Sequence, residues 1–489
     1  MPWPHEPVVY EVNTAVWLDA LSRASGRPTT LADVSASDWD SVTPTGVDAV
    51  WLMGVWERSP AGLAVAKANP ELMASFRDAL PDVTDADIIG SPYCVRRYVV
   101  DDRFGGPDGL AKARGALAAR NVRLVLDYVP NHVAPDHPWV TGHPERFVRG
   151  TADDAAADPV GWMTVGSSVL AHGRDPYFPP WPDVVQLDAF SSDLRAATTE
   201  VLADIADQCD GIRCDMAMLM TNNVFAKTWG GRTGAEPTEE FWITVFSGLR
   251  ARHPETVLIA EAYWDLEWEL MQQGFDFCYD KRLYDRLLGG NVTELHDHLR
   301  ADLDYQSHLL RFLENHDEPR VASRLGSDAE RAAAVAVATL PGATLWHEGQ
   351  FEGRTVRPPV FLSRRPDETP DRVLAEWYPH LLAVVAESGI RTGTWQLLAT
   401  TGWPDNQACH NLLAWCWYDD PRRHVVVVNL SGASAQGRVA LPWPDLRGRD
   451  CRLTDRLQGV EFNRGGDELT DPGLYVDLGP WHVHVLAVG

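Results

Sequence analysis

The segment GIRCDMAMLM, residues 211–220, decides how the chain is read. Gly211, Ile212 and Cys214 form a short apolar run of strand type, yet Arg213 and Asp215 stand in it two residues apart. Alternate side chains of a strand share a face, so Gly211, Arg213 and Asp215 point the same way. Two ionisable groups on one face of a buried strand require a polar centre at its C-terminal end. There, Arg213 beside Asp215 favours the ionised carboxylate.

Other apolar runs end in the same manner. VRLVLDYV (122–129) carries Asp127 and is followed by Asn131 and His132, TVLIAE (256–261) closes on Glu261, and LLRFLENHD (309–317) closes on Asn315, His316 and Asp317. With VVYEVN (8–13), VDAVWLM (47–53), FDFCYD (275–280) and ATLWHEG (343–349), the strand-like runs number eight. Helical stretches separate them, among them GLAKARGALAAR (109–120), DLRAATTEVLADIADQ (193–208) and AERAAAVAVATL (329–340). Repeated strand–helix units predict parallel strands, and eight fit an α/β fold of the closed (β/α)8 TIM-barrel type. An open doubly wound sheet is the alternative. Polar residues at the C-terminal ends of several strands favour the barrel, and no GxGxxG follows the first strand.

Two segments break the rhythm. Residues 133–187 are rich in Pro, Gly, Asp and Trp where a loop of about 2–6 residues is ordinary, and they read as a small inserted domain after strand three. From residue 401 the pattern changes to alternating strands separated by turns, as in NLLAWCWYDD and RHVVVVNLS, which predicts a C-terminal all-β sandwich domain. The expected domains are therefore a discontinuous barrel over 1–132 and 188–400, an insert over 133–187 and a β domain over 401–489. The 489 residues are 45% apolar and 23% charged, as in a soluble globular chain. A formal charge of −26 argues against nucleic acid or an anionic membrane as partner. Seven cysteines without a CxxC pair signal neither a disulfide framework nor a zinc cluster. The opening MPWPHEPVVYEVN lacks the pattern of a signal peptide, and no run of about 18 apolar residues occurs, so a cytoplasmic location is expected.

Carboxylates delivered from strands four, five and seven to one barrel mouth suit glycoside cleavage, which uses one ionised and one protonated carboxyl across the scissile bond. DYVPNH (127–132), GIRCD (211–215), IAEAYW (259–264) and ENHDEP (314–319) resemble, in order and spacing, the four short sequence regions of the α-amylase family, glycoside hydrolase family 13. VQLDAFSSDLR (185–195) is similar to the segment that leads into strand four, and the resemblance runs from VVYEVN to HVVVVNLSG. It implies a retaining mechanism with Asp215 as nucleophile, Arg213 holding it ionised, Glu261 as general acid and then base, and Asp317 steadying the transition state. His132 and His316 are implied as hydrogen-bond donors at the same subsite, and Asp127 as an organiser acting through Arg213. Tyr93 in GSPYCVRRY (90–98) is implied to stack on the sugar. No cofactor is required by the resemblance, although Asn131 stands where many members bind structural calcium.

The chain departs from the family at three places. Many members carry Lys and His three and four residues beyond the nucleophile; here Met218 and Leu219 stand there, either as an apolar acceptor surface or as packing. Arg320 matches one half of the terminal-sugar clamp of exo-acting members, but Gly90 occupies the place of its Asp, which leaves exo and endo action open. Arg97 replaces the acidic residue common before Tyr98. The implied activity is retaining hydrolysis of small α-glucosides or maltooligosaccharides. The alternative is an intracellular transglycosylase or isomerase, trehalose-forming or glucosyl- or maltosyl-transferring. A non-catalytic carbohydrate-binding relative would lack carboxylates that this chain retains. The sequence carries no signal of oligomeric state.

Overall fold

The computed structural model describes residues 2–489. Eight parallel strands close a barrel: β1 (Val8–Asn13), β2 (Ala49–Met53), β3 (Arg123–Tyr128), β4 (Gly211–Cys214), β5 (Val257–Ala260), β6 (Phe277–Tyr279), β7 (Leu309–Arg311) and β8 (Ala343–His347). Each pairs with its neighbours in chain order, and β8 returns to β1. The strands are buried along their length, as parallel strands covered by helices must be.

The period-two rule divides every strand into two sets. Val9, Trp51, Val125, Val257, Ile259, Tyr279, Leu310 and Leu345 gather in one apolar cluster that fills the barrel. Their neighbours Val12, Leu52, Leu126, Ile212, Leu258 and Ala260 pack instead among the helices. Two residues further along the inward set, the interior turns ionisable: Glu11 follows Val9, Asp127 follows Val125, Arg213 follows Gly211, Glu261 follows Ile259, and His347 follows Leu345. The register places Arg213 level with Asp127 on β3 and with Ile259 on β5.

Between β3 and β4 the insert forms an antiparallel sheet from His132–Val133, Arg149–Gly150, Trp162–Val165, Ser168–Gly173 and Trp181–Gln186. Its outer strands return the chain to the barrel mouth, Gln186 pairing with His132. The C-terminal strands are antiparallel and form a six-stranded and a three-stranded sheet around their own apolar cluster. The six-stranded sheet already includes Thr394–Leu398, which pairs with Leu412–Asp419, so the β region begins ahead of residue 401. TWQLL follows a helix closely and is too short to alternate visibly. Trp415 and Trp417, on the opposite face from that cluster, donate their indole N–H groups to the Thr339 carbonyl at 3.2 and 2.7 Å. Thr339 ends the helix Ser327–Thr339, whose last carbonyls have no intrahelical donor.

Candidate active site

The β-ladder continues past the ends of β4 and β5 and fixes the carboxylates there. Asp215 donates its N–H to the Tyr128 carbonyl (2.8 Å), Glu261 to Cys214 (3.0 Å) and Ala217 to Glu261 (3.0 Å). Both side chains therefore leave rigid backbone. Arg213, 1% exposed, lies between them: Nη1 donates to Asp215 Oδ1 at 2.8 Å and Nη2 to Glu261 Oε2 at 2.6 Å, with Asp127 Oδ1 at 3.6 Å. The guanidinium also lies 5.1 Å from the Trp51 ring and 5.4 Å from the Tyr93 ring.

One cation among three buried carboxylates cannot keep all of them charged. Asp215 is pushed up to about 8, first by burial, with Glu261 and Asp317 adding to the rise against the Arg213 charge. Arg213 therefore does not hold Asp215 ionised by itself, as the resemblance implied. It spans the two carboxyls and offsets only part of the burial that raises Asp215. Glu261 is gripped further: the Met216 N–H donates to Oε2 at 2.7 Å and the Tyr263 hydroxyl to Oε1 at 2.8 Å. Met216 reaches that position through a left-handed backbone, φ 39°, uncommon for a residue with a side chain.

Asp127 is anchored by the Gly54 N–H at 3.0 Å. Gly54 turns at φ 78°, and a Cβ there would meet Pro92 Cβ at 2.7 Å, so the approach needs glycine. Asp317 stands at the rim with its side chain 47% exposed, in a turn made by Asn315 Oδ1 accepting from the Asp317 and Glu318 N–H groups, both 2.9 Å. His316 Nε2 contacts Asp317 Oδ2 at 3.1 Å and the Tyr93 hydroxyl at 2.7 Å, and its ring stacks on Tyr93 with centroids 5.3 Å apart. Burial opposes charge on His316, but Asp317 and Glu11 hold it well above the usual imidazole value. Burial would raise Asp317, yet His316, Arg213 and Arg357 hold it well below the carboxylate range. His132 lies beside Tyr93 with its ring on edge to Trp181, pushed down to about 4 by burial and so neutral at pH 7.

Three expectations need correction. Arg320 is no sugar clamp: it is buried, with Nη1 donating to Glu314 Oε1 (2.6 Å) and the Glu348 carbonyl (2.8 Å) and 2.9 Å from His347 Nδ1. Glu314 is a buried carboxylate that needs this partner. Met218 and Leu219 form no acceptor surface, because the short helical turn Ala217–Met220 carries both inward; Met216 is the half-buried residue there. Asn131 does not fit a calcium site, since its Oδ1 accepts from Gln186 Nε2 at 2.8 Å and its amide faces Gln186 and His132. Among the described residues the one side-chain group spaced for a metal is His143, Glu145 and Asp193, exposed and elsewhere.

Sequence reasoning missed Glu11, Tyr263, Met216 and Arg357, the last of which donates to the Asp317 carbonyl. Glu11 could have been found, because alternation in VVYEVN puts it on the face of Val9.

Barrel, insert and β domain make a (β/α)8 architecture with carboxylates gathered at the C-terminal ends of its strands. No protein-family model matches the chain. Among curated proteins it is 25% identical over 377 residues to alpha-amylase MalA of Haloarcula japonica, covering 75% of this chain and 47% of that protein. It is 26% identical over 202 residues to an alpha-1,4-glucan:maltose-1-phosphate maltosyltransferase of Burkholderia pseudomallei, covering 40% of this chain and 15% of that one. The chain thus spans less than half the length of these relatives. Among solved structures, the maltogenic alpha-amylase AmyB of Thermotoga neapolitana superposes with a TM-score of 0.70 at 18% identity, covering 99% of this chain and 98% of that one, a likeness of fold. The curated relatives support the family-level resemblance to the α-amylase family, glycoside hydrolase family 13, and the solved structures support the fold.

Proposed function

We propose that the protein is a retaining enzyme that cleaves α-glucosidic bonds of small α-glucosides or maltooligosaccharides by double displacement. The observation that carries this reading is the sharing of one guanidinium by Asp215 and Glu261, which brings two carboxyls to one point at the barrel mouth. Retaining pairs need such closeness, whereas inverting pairs need room for water. In the first step a carboxylate oxygen of Asp215 bonds to the anomeric carbon while the glycosidic bond breaks and the leaving oxygen takes the proton from Glu261. In the second, Glu261 takes a proton from water as its oxygen attacks the same carbon, and Asp215 leaves as carboxylate. Asp317 and His316 hold ring hydroxyls, and Tyr93 offers its face. The test is incubation with maltooligosaccharides, trehalose and sucrose, with the anomer of the first product followed by NMR. The α-anomer and loss of turnover in Asp215→Asn are expected; a β-anomer, or undiminished turnover in that variant, overturns the mechanism.

A second reading, transfer to a sugar acceptor, is favoured by the rings beyond Glu261. Trp264 is 36% and Tyr177 58% exposed, they meet edge to face at 4.9 Å, and Lys227 Nζ lies 2.7 Å from the Tyr177 hydroxyl. Exposed, fixed aromatic rings suit a sugar that competes with water. The maltosyltransferase relative is consistent with this. Products longer than the substrate, appearing when maltose is added, would establish it, and their absence would leave hydrolysis.

A further inference from the structure

Glu11 is a carboxylate in the interior of the barrel, wholly screened from solvent at the C-terminal end of β1. Such a group persists only when paired. Its partner is His316: Nδ1 lies 2.5 Å from Glu11 Oε1, and Oε2 receives no hydrogen bond from the described residues. The opposite nitrogen, Nε2, faces the Tyr93 hydroxyl and the Asp317 carboxylate. With a carboxylate against each ring nitrogen, both nitrogens are donors and the ring is an imidazolium. Because Nδ1 is consumed inside the barrel, the Nε2–H points toward the rim, where Asp317 and the ring of Tyr93 border the cleft. The Trp51 ring holds the imidazole from the side, edge to face at 5.5 Å.

We infer that Glu11 is a positioning residue: it anchors His316 by Nδ1, so that Nε2 holds the Asp317 carboxylate and the Tyr93 hydroxyl in place for the sugar bound between them. The sugar-facing half of this inference rests on the function proposed above; the anchoring half does not. The other charged or titratable groups that act on the pair are Asp317, Arg213, His347, Asp127, Tyr279 and Tyr93. His347 is buried and held below the usual imidazole value, first by burial and then by Arg320. Asp317 alone, half in solvent, is a weaker counterion than a buried carboxylate at hydrogen-bond distance. Burial favours protonating Glu11, and His316, His347 and Arg213 reverse that, so the carboxylate stays charged.

The test is Glu11→Gln, which keeps the shape and removes the charge. The His316 ring is followed by NMR against pH, its signal assigned by its loss in His316→Gln. Wild-type His316 should stay doubly protonated well above the usual imidazole range, and in Glu11→Gln it should lose its proton at a clearly lower pH. Turnover of maltooligosaccharide by Glu11→Gln should fall by about 10-fold or more at pH 7.5, mainly in kcat, and recover toward wild type as pH is lowered. Unchanged titration of His316 overturns the inference, as does an equal loss of turnover at every pH. Should Glu11→Gln fold poorly, the double variant with His316→Gln decides: a loss no larger than in His316→Gln alone supports action through His316, and additive losses overturn it. If the wild-type protein turns over no α-glucoside, the proposed function fails, while the NMR titration still decides the anchoring.

Discussion

Arg213 binds the site together at the scale of a single residue. Its planar fork meets Asp215 with one nitrogen and Glu261 with another, which an ammonium cannot reproduce from one position. Arg213→Lys keeps the charge, so the fold should survive, but kcat on maltooligosaccharides should fall by about two to three orders of magnitude, measured beside a melting curve. The proton on Asp215 sets the pH response. Asp215 is pushed up to about 8, first by burial, so it keeps its proton until pH rises through that value. Attack on the anomeric carbon needs the Asp215 carboxylate, so kcat/KM should rise as pH climbs toward about 8. Glu261→Gln should move that limb to lower pH, because the Glu261 charge adds to the rise of Asp215, with α-glucosyl fluoride, whose leaving group needs little protonation, as the substrate. A limb that stays in place in this variant would assign it to another group. Met216 shows why the opening segment misleads: its left-handed turn aims an N–H at Glu261 and swings the following residues inward. A side chain pattern alone does not announce that turn.

At the scale of elements, the strand ends are held by buried ion pairs that the chemistry does not use. Asp280, just after β6, accepts from Arg311 Nε at 3.1 Å and from Leu283 N–H at 3.0 Å and lies 3.0 Å from His298 Nε2. Burial would raise Asp280, but His298 and Arg311 bring it down to about 2. A lowered folded value means stability that is fully present above the unfolded value, near 3.8, and lost as pH falls through about 2. Acid melts should show that loss in the wild type. Asp280→Asn should lack it and be less stable by about 3–5 kcal/mol at neutral pH, since Arg311 is left buried without a counter-charge. The eight barrel strands were legible because parallel strands buried on both faces must be apolar runs, and the carboxylates were legible because they interrupt those runs at one end. Glu11 was not singled out, since a lone acid in VVYEVN resembles an exposed residue until β7 supplies its histidine. Arg320 was misread for the mirror reason: its motif matches a sugar clamp, and only the fold brings Glu314 and His347 against it. Asn131 matched a calcium position, and the amide that fills its coordination comes from Gln186, fifty-five residues away across the insert.

At the scale of the whole molecule, chemistry and cohesion lie at opposite ends of the barrel. The carboxylates occupy the C-terminal ends of the strands, whereas the β domain docks beside Thr339, just before β8 begins. Barrel enzymes commonly divide labour in this way, with reactive loops at one end and stability at the other. The two indoles on the docking strand matter because each brings a donor to a helix-end carbonyl that the docked sheet shields from water. Replacing both Trp415 and Trp417 with Phe keeps most of the apolar contact and leaves the Thr339 oxygen without them, at a cost of about 1–3 kcal/mol. Calorimetry should show the wild-type chain unfolding in one transition and the double variant melting lower, with the β domain separating as an earlier step. Turnover measured well below the melting range should be unchanged, because no strand end at the mouth is touched. A single transition at the wild-type temperature would show that apolar burial alone holds the domains together. A fall in kcat with the melting point intact would mean instead that the docking face communicates with the barrel mouth through the helix Ser327–Thr339 and β8, which the separation of the two ends argues against.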